Sequence, residues 1–333
     1  MTALAEHAIA SLTGLALGDA LGMPTQSMSP AAIAEDYGVI SGLIDAGPRQ
    51  RIAAGMSAGS ITDDTEQAVL VAELLIRGQG RIDPGLFAHA LLEWERRMAA
   101  KGSLDLLGPS TKMAVQRILD GVPVEEAGSG GTTNGAAMRI APVGIAFRHQ
   151  NLDVFVDAVH DACRLTHDTG LGVAGAAAVA AAVSAGLDGS PRSEALDRAC
   201  AAAEIGARRG HWIAGADIAA RLRWIRGLLP ELTPPEQLRT IRDVVGTSVA
   251  SQESVVAALA LVALDHDPYP TLCLAAGLGG DTDTVAAMAG AVLGAVHGAQ
   301  AWPPDAVLHL HRVNRLPFDD LAHRLLALRA RTH

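Results

Sequence analysis

The sequence predicts an all-α protein, and three observations carry that prediction. Apolar residues recur at helical spacing along most of the chain, and a strand-like alternation is found only at 38–44. Hydrophobic residues make up 49% of the 333 residues and aromatics only 3%, and 35 residues are glycine, so the core must be built from small, closely packed side chains. No stretch reads as a linker, which assigns residues 1–333 to a single domain large enough to bury a sizeable core.

Taken in order, the helical pattern covers 5–22, 63–77, 84–100 and then 110–120, the last opening on a Pro109-Ser110 start. It resumes at 151–165, 171–186, 193–209, 213–228, 235–246, 252–264, 270–277, 282–298 and 318–331, and Ala136–Met138 also reads as helical. The Gly-, Pro- and Ser-rich stretches near 42–60 and 128–135 are short and flanked by patterned sequence, so they read as loops. The runs 171–186 and 282–298 are dominated by Ala and Gly, which lets helix axes approach closely and places both runs at the centre. Their preceding loops then face a common cleft, with Asp281 and Asp283 near Thr166-His167-Asp168-Thr169.

Composition narrows the function classes. A net charge of −10 without any run of Lys or Arg argues against a nucleic-acid partner and favours a small molecule or a modified protein. The 171–187 stretch is apolar but poor in Leu, Ile and Phe, so no membrane span is expected. The first twenty residues carry Glu6 and lack a basic start, so no signal peptide is expected. Cys163, Cys200 and Cys273 form no CxxC pair and are expected as buried thiols in a reducing, cytoplasmic setting.

Two acidic segments at opposite ends of the chain carry the chemistry. Thr62-Asp63-Asp64-Thr65 and Asp281-Thr282-Asp283-Thr284 each follow a glycine-containing turn and open a helical run. Either alone reads as a helix cap, and Asp63 with Glu66 has capping-box spacing. A cap, however, needs one acceptor, and each segment offers two carboxylates and two hydroxyls within one turn. Crowded carboxylates repel unless a cation lies between them, and oxygen donors without Cys or His suit Mg²⁺ or Mn²⁺.

These segments stand in order with three others: Gly14-Leu15-Ala16-Leu17-Gly18-Asp19-Ala20-Leu21-Gly22, Thr133-Asn134-Gly135-Ala136-Ala137-Met138-Arg139, and Thr166-His167; Gly279-Gly280 precedes the second acidic segment. Together they resemble the ADP-ribosylglycohydrolase family, including its dinitrogenase reductase-activating glycohydrolase-like members, from about residue 10 to about residue 300. The resemblance implies a single compact orthogonal helical domain with a bimetal cleft. It implies a hydrolase, a glycosidase that cleaves the bond between ribose and the group carrying an ADP-ribosyl unit. Two divalent cations, Mg²⁺ or Mn²⁺, are implied, with Thr62, Asp63, Asp64, Asp281, Asp283 and Thr284 as ligands. Asp63, Asp64, Asp283 and Gln26 are the catalytic candidates; Asn134, Gly135, His167, Gly279 and Gly280 are the substrate-binding candidates, with His167 lining the cleft. The implied partner is an ADP-ribosylated protein or a small ribosyl compound.

One departure stands out. Where the family's protein-directed members carry an acidic residue after the first motif, this chain has Gln26, which cannot transfer a proton at neutral pH. A smaller nucleoside-like ribosyl metabolite, or a non-catalytic ADP-ribose-binding module, is the alternative this raises. Tyr37, Phe87, Trp94, Phe147 and Trp212 are the candidates for stacking an adenine, against an ordinary packing role for each. The segment Leu104–Lys112 is either a cleft wall or a plain helix start. Arg139 is expected in a buried ion pair with Asp19 or Asp168, and Asp19 is expected to orient neighbouring groups.

Overall fold

A computed structural model describes residues 2–100 and 107–331. All regular structure among these residues is helical. The chain starts with α1 (Ala3–Gly22), whose first turn is capped by the Thr2 hydroxyl accepting from the Ala5 N–H. A tight turn at Met23–Thr25 leads to α2 (Pro30–Tyr37). After the 42–60 loop come α3 (Asp63–Arg77), α4 (Pro84–Ala100), α5 (Pro109–Leu119) and α6 (Val124–Ala127). Two short helices, α7 (Gly135–Met138) and α8 (Ala141–Ala146), precede the longer α9 (Leu152–His167) and α10 (Gly170–Leu187). Next are α11 (Arg192–Gly206), α12 (Ile218–Leu228), α13 (Pro234–Thr240) and α14 (Ser251–Ala263). The chain closes with α15 (Pro268–Ala276), α16 (Thr282–His297), α17 (Pro304–Asn314) and α18 (Phe318–Arg329).

The departures from the sequence pattern have physical causes. The strand candidate at 38–44 is not a strand: Gly38, at φ +65°, ends α2, and Val39 is 91% exposed with no partner strand to bury it. The helices α2, α8 and α17 are absent from the periodic reading; each is led by a proline in its first turn, as are several helices the periodicity does find. Proline breaks a helix interior but is tolerated at N1, where its missing N–H would have no partner anyway. The 213–228 run begins only at Ile218, where Asp217 caps by accepting from the Ala220 N–H at 2.7 Å. The 235–246 run splits, with α13 passing into a wider π-type turn at Ile241–Val245.

The core is made of backbones in contact. α10 is buried along its whole length, so a helix long and apolar enough to cross a membrane is here the centre of a helical bundle. α1 and α16 lie directly against each other. A Cβ on Gly14 would overlap the Gly290 carbonyl, one on Gly18 the Ala286 carbonyl, and one on Gly22 the Asp283 backbone. From the other side, Gly290 and Gly294 meet the backbones of Gly14 and Ala10 in the same way. Glycine at i, i+4 and i+8 of α1 makes one flat ridge, and interhelical contact at backbone distance fixes the register of the pair.

Substituting Ala for Gly should therefore change sign with position. Gly18→Ala gains helix propensity but drives a methyl into the Ala286 carbonyl, and is expected to lose about 1–3 kcal/mol or more. Gly227→Ala, in α12 with no atom within 4 Å of the added Cβ, is expected to gain about 0.5–1 kcal/mol. Urea unfolding of both variants checks the pair; a neutral Gly18→Ala would show that α1 and α16 are not in backbone contact.

A candidate acidic active site

The site is organised by a carboxylate that comes from a different helix. Asp19, on α1 and fully buried, accepts hydrogen bonds from the Thr62 N–H (3.0 Å) and the Thr65 N–H (3.1 Å), and from the Thr62 (2.8 Å) and Thr65 (2.5 Å) hydroxyls. These are the donors that an N-cap side chain ordinarily takes. Thr62 itself makes no capping bond, and Asp281, the residue before α16, makes none either. Glu66 makes no capping box: its carboxylate accepts from the Trp94 indole N–H at 2.5 Å. The helix-cap reading of the two acidic segments therefore fails, because Asp19 caps α3 and leaves Asp63 and Asp64 to other uses.

The two segments meet. The Thr284 hydroxyl donates to Asp64 Oδ2 at 3.2 Å, joining the start of α16 to the start of α3. Asp63 is held by Gln67 Nε2 at 2.8 Å, and Gln67 Oε1 in turn accepts from Arg139 at 2.5 Å. Asp281 Oδ2 accepts from Asn134 Nδ2 at 2.5 Å, and Asn134 also donates to Ser254 at 2.9 Å. Burial, then the charges of Asp283, Asp63, Asp19 and Asp281, push the Asp64 carboxyl well above its usual range. Burial also raises Asp281 against its hydrogen bonds from Asn134 and Thr284, and raises Asp19 to about 6 against the four bonds it accepts. Asp64 Oδ1 is buried with no hydrogen-bond partner among the described residues.

This donor set fits a hard divalent cation. Carboxylates and hydroxyls from both segments converge, and among the described residues no cationic side chain lines the cleft beside them and a buried carboxylate oxygen lacks the donor it requires. Among the described residues, no three His, Cys, Asp or Glu side chains already stand close enough to grip one ion, so the fit lies in donor type and charge and not in a preformed coordination sphere.

Asp63, Asp281, Asp283 and Thr284 line an open cleft of about 180 Å³ together with Gln26, Thr133, Asn134, Gly135 and Met138. Gly108, Pro109 and Thr111 form part of its wall, so the start of α5 is both a proline-led helix start and a cleft wall; Leu104–Leu106 lie outside the described residues. Gln26 is held over the cleft by its own backbone: Gln50 Nε2 donates to its carbonyl at 2.9 Å, and the next residue, Ser27, donates its N–H to the Gly280 carbonyl at 2.7 Å.

Several expected residues hold other positions. Gly279 and Gly280 do not line the cleft; at φ +82° and +80° they make the turn that ties Ser27 and Met28 to the start of α16. A Cβ at Gly280 would overlap Thr247. His167 does not line the cleft either. It is fully buried behind the 133–135 loop, and a Cβ on Gly135 would stand 3.0 Å from its ring. Burial and the nearby Arg139 hold His167 neutral, well below its usual pKa. Arg139 pairs with neither Asp19 nor Asp168: it donates to Gln67 and, at 2.6 Å, to the Thr166 hydroxyl, and stacks over Phe87 at 4.9 Å. Asp168 instead takes His160 at 2.6 Å. Arg139 donates to the Thr166 hydroxyl, which lies 2.8 Å from His167 Nδ1, and His167 Nε2 lies 2.9 Å from the hydroxyl of Thr133 on the cleft wall, so the four side chains form one hydrogen-bonded chain. None of Tyr37, Phe87, Trp94, Phe147 and Trp212 lines the cleft; Phe87 and Trp94 are core, and Trp212 is 85% exposed. Gln67, which sequence reading missed, is legible after the fact as a polar residue four positions after Asp63 on the same helix face.

The comparisons agree with this architecture. A family profile described as ADP-ribosylglycohydrolase matches residues 1–333. The chain is 36% identical to the uncharacterized protein YegU of Escherichia coli (strain K12), over 97% of each chain. It is 26% identical to the ADP-ribosylarginine hydrolase Tri1 of Pseudomonas putida (strain GB-1), over 91% of this chain and 73% of that one. Against the ADP-ribosylhydrolase ARH3 of Bos taurus it is 24% identical, over 88% and 85%. A solved structure titled ADP-ribosylglycohydrolase-related protein complex superposes with a TM-score of 0.69 at 25% identity, covering 98% of this chain and 99% of the other. The chain belongs to the ADP-ribosylglycohydrolase family, and it is a glycosidase-type hydrolase.

The Asp19 cap yields a direct test. In Asp19→Asn one acceptor oxygen becomes an NH₂ facing the donors of Thr62 and Thr65, at an expected cost of about 1–3 kcal/mol even though a buried charge is removed beside Asp64. Urea unfolding in excess chelator measures it; unchanged stability would show that Asp19 does not hold the start of α3.

Proposed function

We propose that this member of the ADP-ribosylglycohydrolase family is a divalent-cation-dependent enzyme that hydrolyses the bond between C1 of a ribose, in an ADP-ribosyl group, and its substituent. The observation that carries the reading is that Asp63, Asp281 and Asp283 line one cleft and interact with the buried Asp64, whose Oδ1 lacks any hydrogen-bond donor among the described residues. Thr62, Asp63, Asp64, Asp281, Asp283 and Thr284 would hold two cations, Mg²⁺ or Mn²⁺. When bound, the cations supply positive charge that orients ribose hydroxyls and acidifies water.

The chain's own groups do the rest. Asp63, on the cleft wall and aimed by Gln67, accepts the proton of the attacking water. The remaining carboxylates favour the positive charge that develops on the ribose ring as the bond to the substituent breaks. Asn134 fixes Asp281, and the Thr133 hydroxyl stands at the cleft end of a hydrogen-bonded chain that runs through His167 and Thr166 to Arg139. The three free, buried cysteines suit a reducing compartment, and we place the protein in the cytoplasm.

Metal dependence is checked with and without activity. Mg²⁺ should raise the melting temperature of the chelator-stripped protein, because a ligand of the folded state stabilises it by mass action. Asp283→Asn should lose most of that shift and lower hydrolysis of ADP-ribosylated substrates by about 100-fold or more, since a neutral oxygen replaces an anionic ligand. Full turnover in excess EDTA, or a wild-type Mg²⁺ shift in Asp283→Asn, would overturn the reading.

A further inference from the structure

Arg139 is a buried cation that no carboxylate meets directly. It is 1% exposed, and burial pulls its pKa down to about 10, so it stays charged at neutral pH. Among the described residues its hydrogen-bond partners are neutral: the guanidinium donates to Gln67 Oε1 at 2.5 Å and to the Thr166 hydroxyl at 2.6 Å, and stacks over Phe87. Buried charges are ordinarily paired, and Asp63 stands only one glutamine away. We propose that Gln67 and Arg139 are positioning residues for the hydrolysis: Gln67 fixes the Asp63 carboxylate on the cleft wall and keeps the guanidinium from pairing with it, and Arg139 anchors that wall and the Thr133 wall together. The proposal rests on the hydrolase reading above and adds the residues that aim its base.

The amide of Gln67 has one orientation that serves both neighbours. Arginine only donates, so the oxygen must face Arg139; a carboxylate only accepts, so the NH₂ must face Asp63. A turned amide would set donor against donor and acceptor against acceptor. Gln67 is wholly buried and lies four residues after Asp63 on α3, so the helix itself sets the 2.8 Å contact. A guanidinium in direct contact would grip the carboxylate with two parallel bonds, occupy both oxygens and hold them away from a cation or a water. The amide reaches one oxygen, Oδ2, with a neutral donor and leaves the negative charge in place.

The second arm of the guanidinium serves another wall of the cleft. From Thr166 the chain of hydrogen bonds passes through His167 to Thr133, which lines the cleft beside Asn134. His167 is held neutral by burial and by Arg139, so this arm also carries no counter-charge to the acidic segments. The nitrogens of a guanidinium are fixed in one plane. A single rigid group therefore sets α3 and the 133–135 loop relative to each other, while each arm is neutral where it meets the cleft.

The test uses the full-length protein and two variants that remove the donor to Asp63 in different ways. Gln67→Glu keeps an acceptor for Arg139 and adds a charge; Gln67→Met keeps neither the acceptor nor the donor and adds no charge. Both should lower kcat about 10- to 100-fold, with KM nearly unchanged, on the better substrate of ADP-ribosylarginine and an ADP-ribosylserine peptide. Both should also raise the Mg²⁺ concentration at half-maximal thermal shift about tenfold, because the group that orients a metal ligand is gone. Urea unfolding in excess chelator follows the fold separately, and the losses should be similar in the two variants although their stabilities differ. Thr166→Val cuts the other arm and leaves Gln67 in place; KM should rise while the Mg²⁺ midpoint stays at the wild-type value. A wild-type kcat and Mg²⁺ midpoint in either Gln67 variant, losses that follow stability, or a Thr166→Val midpoint shifted as far as theirs would overturn the proposal and leave the hydrolase reading standing. A wild-type protein that binds Mg²⁺ and cleaves neither substrate defeats the hydrolase reading alone, with the Mg²⁺ midpoints still deciding the role of Gln67. One that binds no Mg²⁺ defeats both.

Discussion

The rest of the site depends on the backbone contact between α1 and α16. Glycines 14, 18 and 22 on one helix and 290 and 294 on the other remove every side chain that would separate the axes, so the two helices meet carbonyl to Cα. That contact places Asp19 and Asp283 on adjoining backbones although they are far apart in the chain. The Thr282 hydroxyl, 3.0 Å from both the Gly22 carbonyl and the Thr25 hydroxyl, locks the same end of the pair, and Gln26 follows directly. A larger residue anywhere on the ridge would move one acidic segment relative to the other, which is why the small-residue composition and the acidic chemistry belong to one design.

Fixed in that way, the carboxylates are held against their own repulsion. Asp19 is compensated by four donors at the start of α3, and Asp281 by Asn134. Asp64 is not: it accepts from Thr284 through one oxygen, while burial and four neighbouring acids raise its pKa. The buried Arg139 sends its hydrogen bonds to Gln67 and Thr166, so its charge reaches Asp63 only at a distance. The fold thus crowds buried carboxylates at one cleft, the arrangement on which the proposed cation binding rests.

The structure places several of the expected residues away from the cleft wall, each for its own physical reason. His167 stands in a motif that opens a central helix, but a residue at the end of α9 is carried behind the 133–135 loop by the packing of α9, and its influence reaches the cleft only through Thr133. Gly279 and Gly280 act through backbone shape, and Arg139 through a neutral hydrogen-bonded partner where an acid was expected. Gln67 was invisible because a glutamine on a helix face has no signature until its partner is known.

The sequence by itself determined the helical class, most helix boundaries, the small-residue core and the two acidic segments. Periodicity, glycine content and oxygen-donor chemistry are local properties, written in neighbouring residues. The tertiary structure alone decided which oxygens meet and that Asp19 rather than the acidic segments caps α3. Those outcomes depend on the distance between residues remote in the chain, which the close approach of α1 and α16 sets and no local pattern encodes.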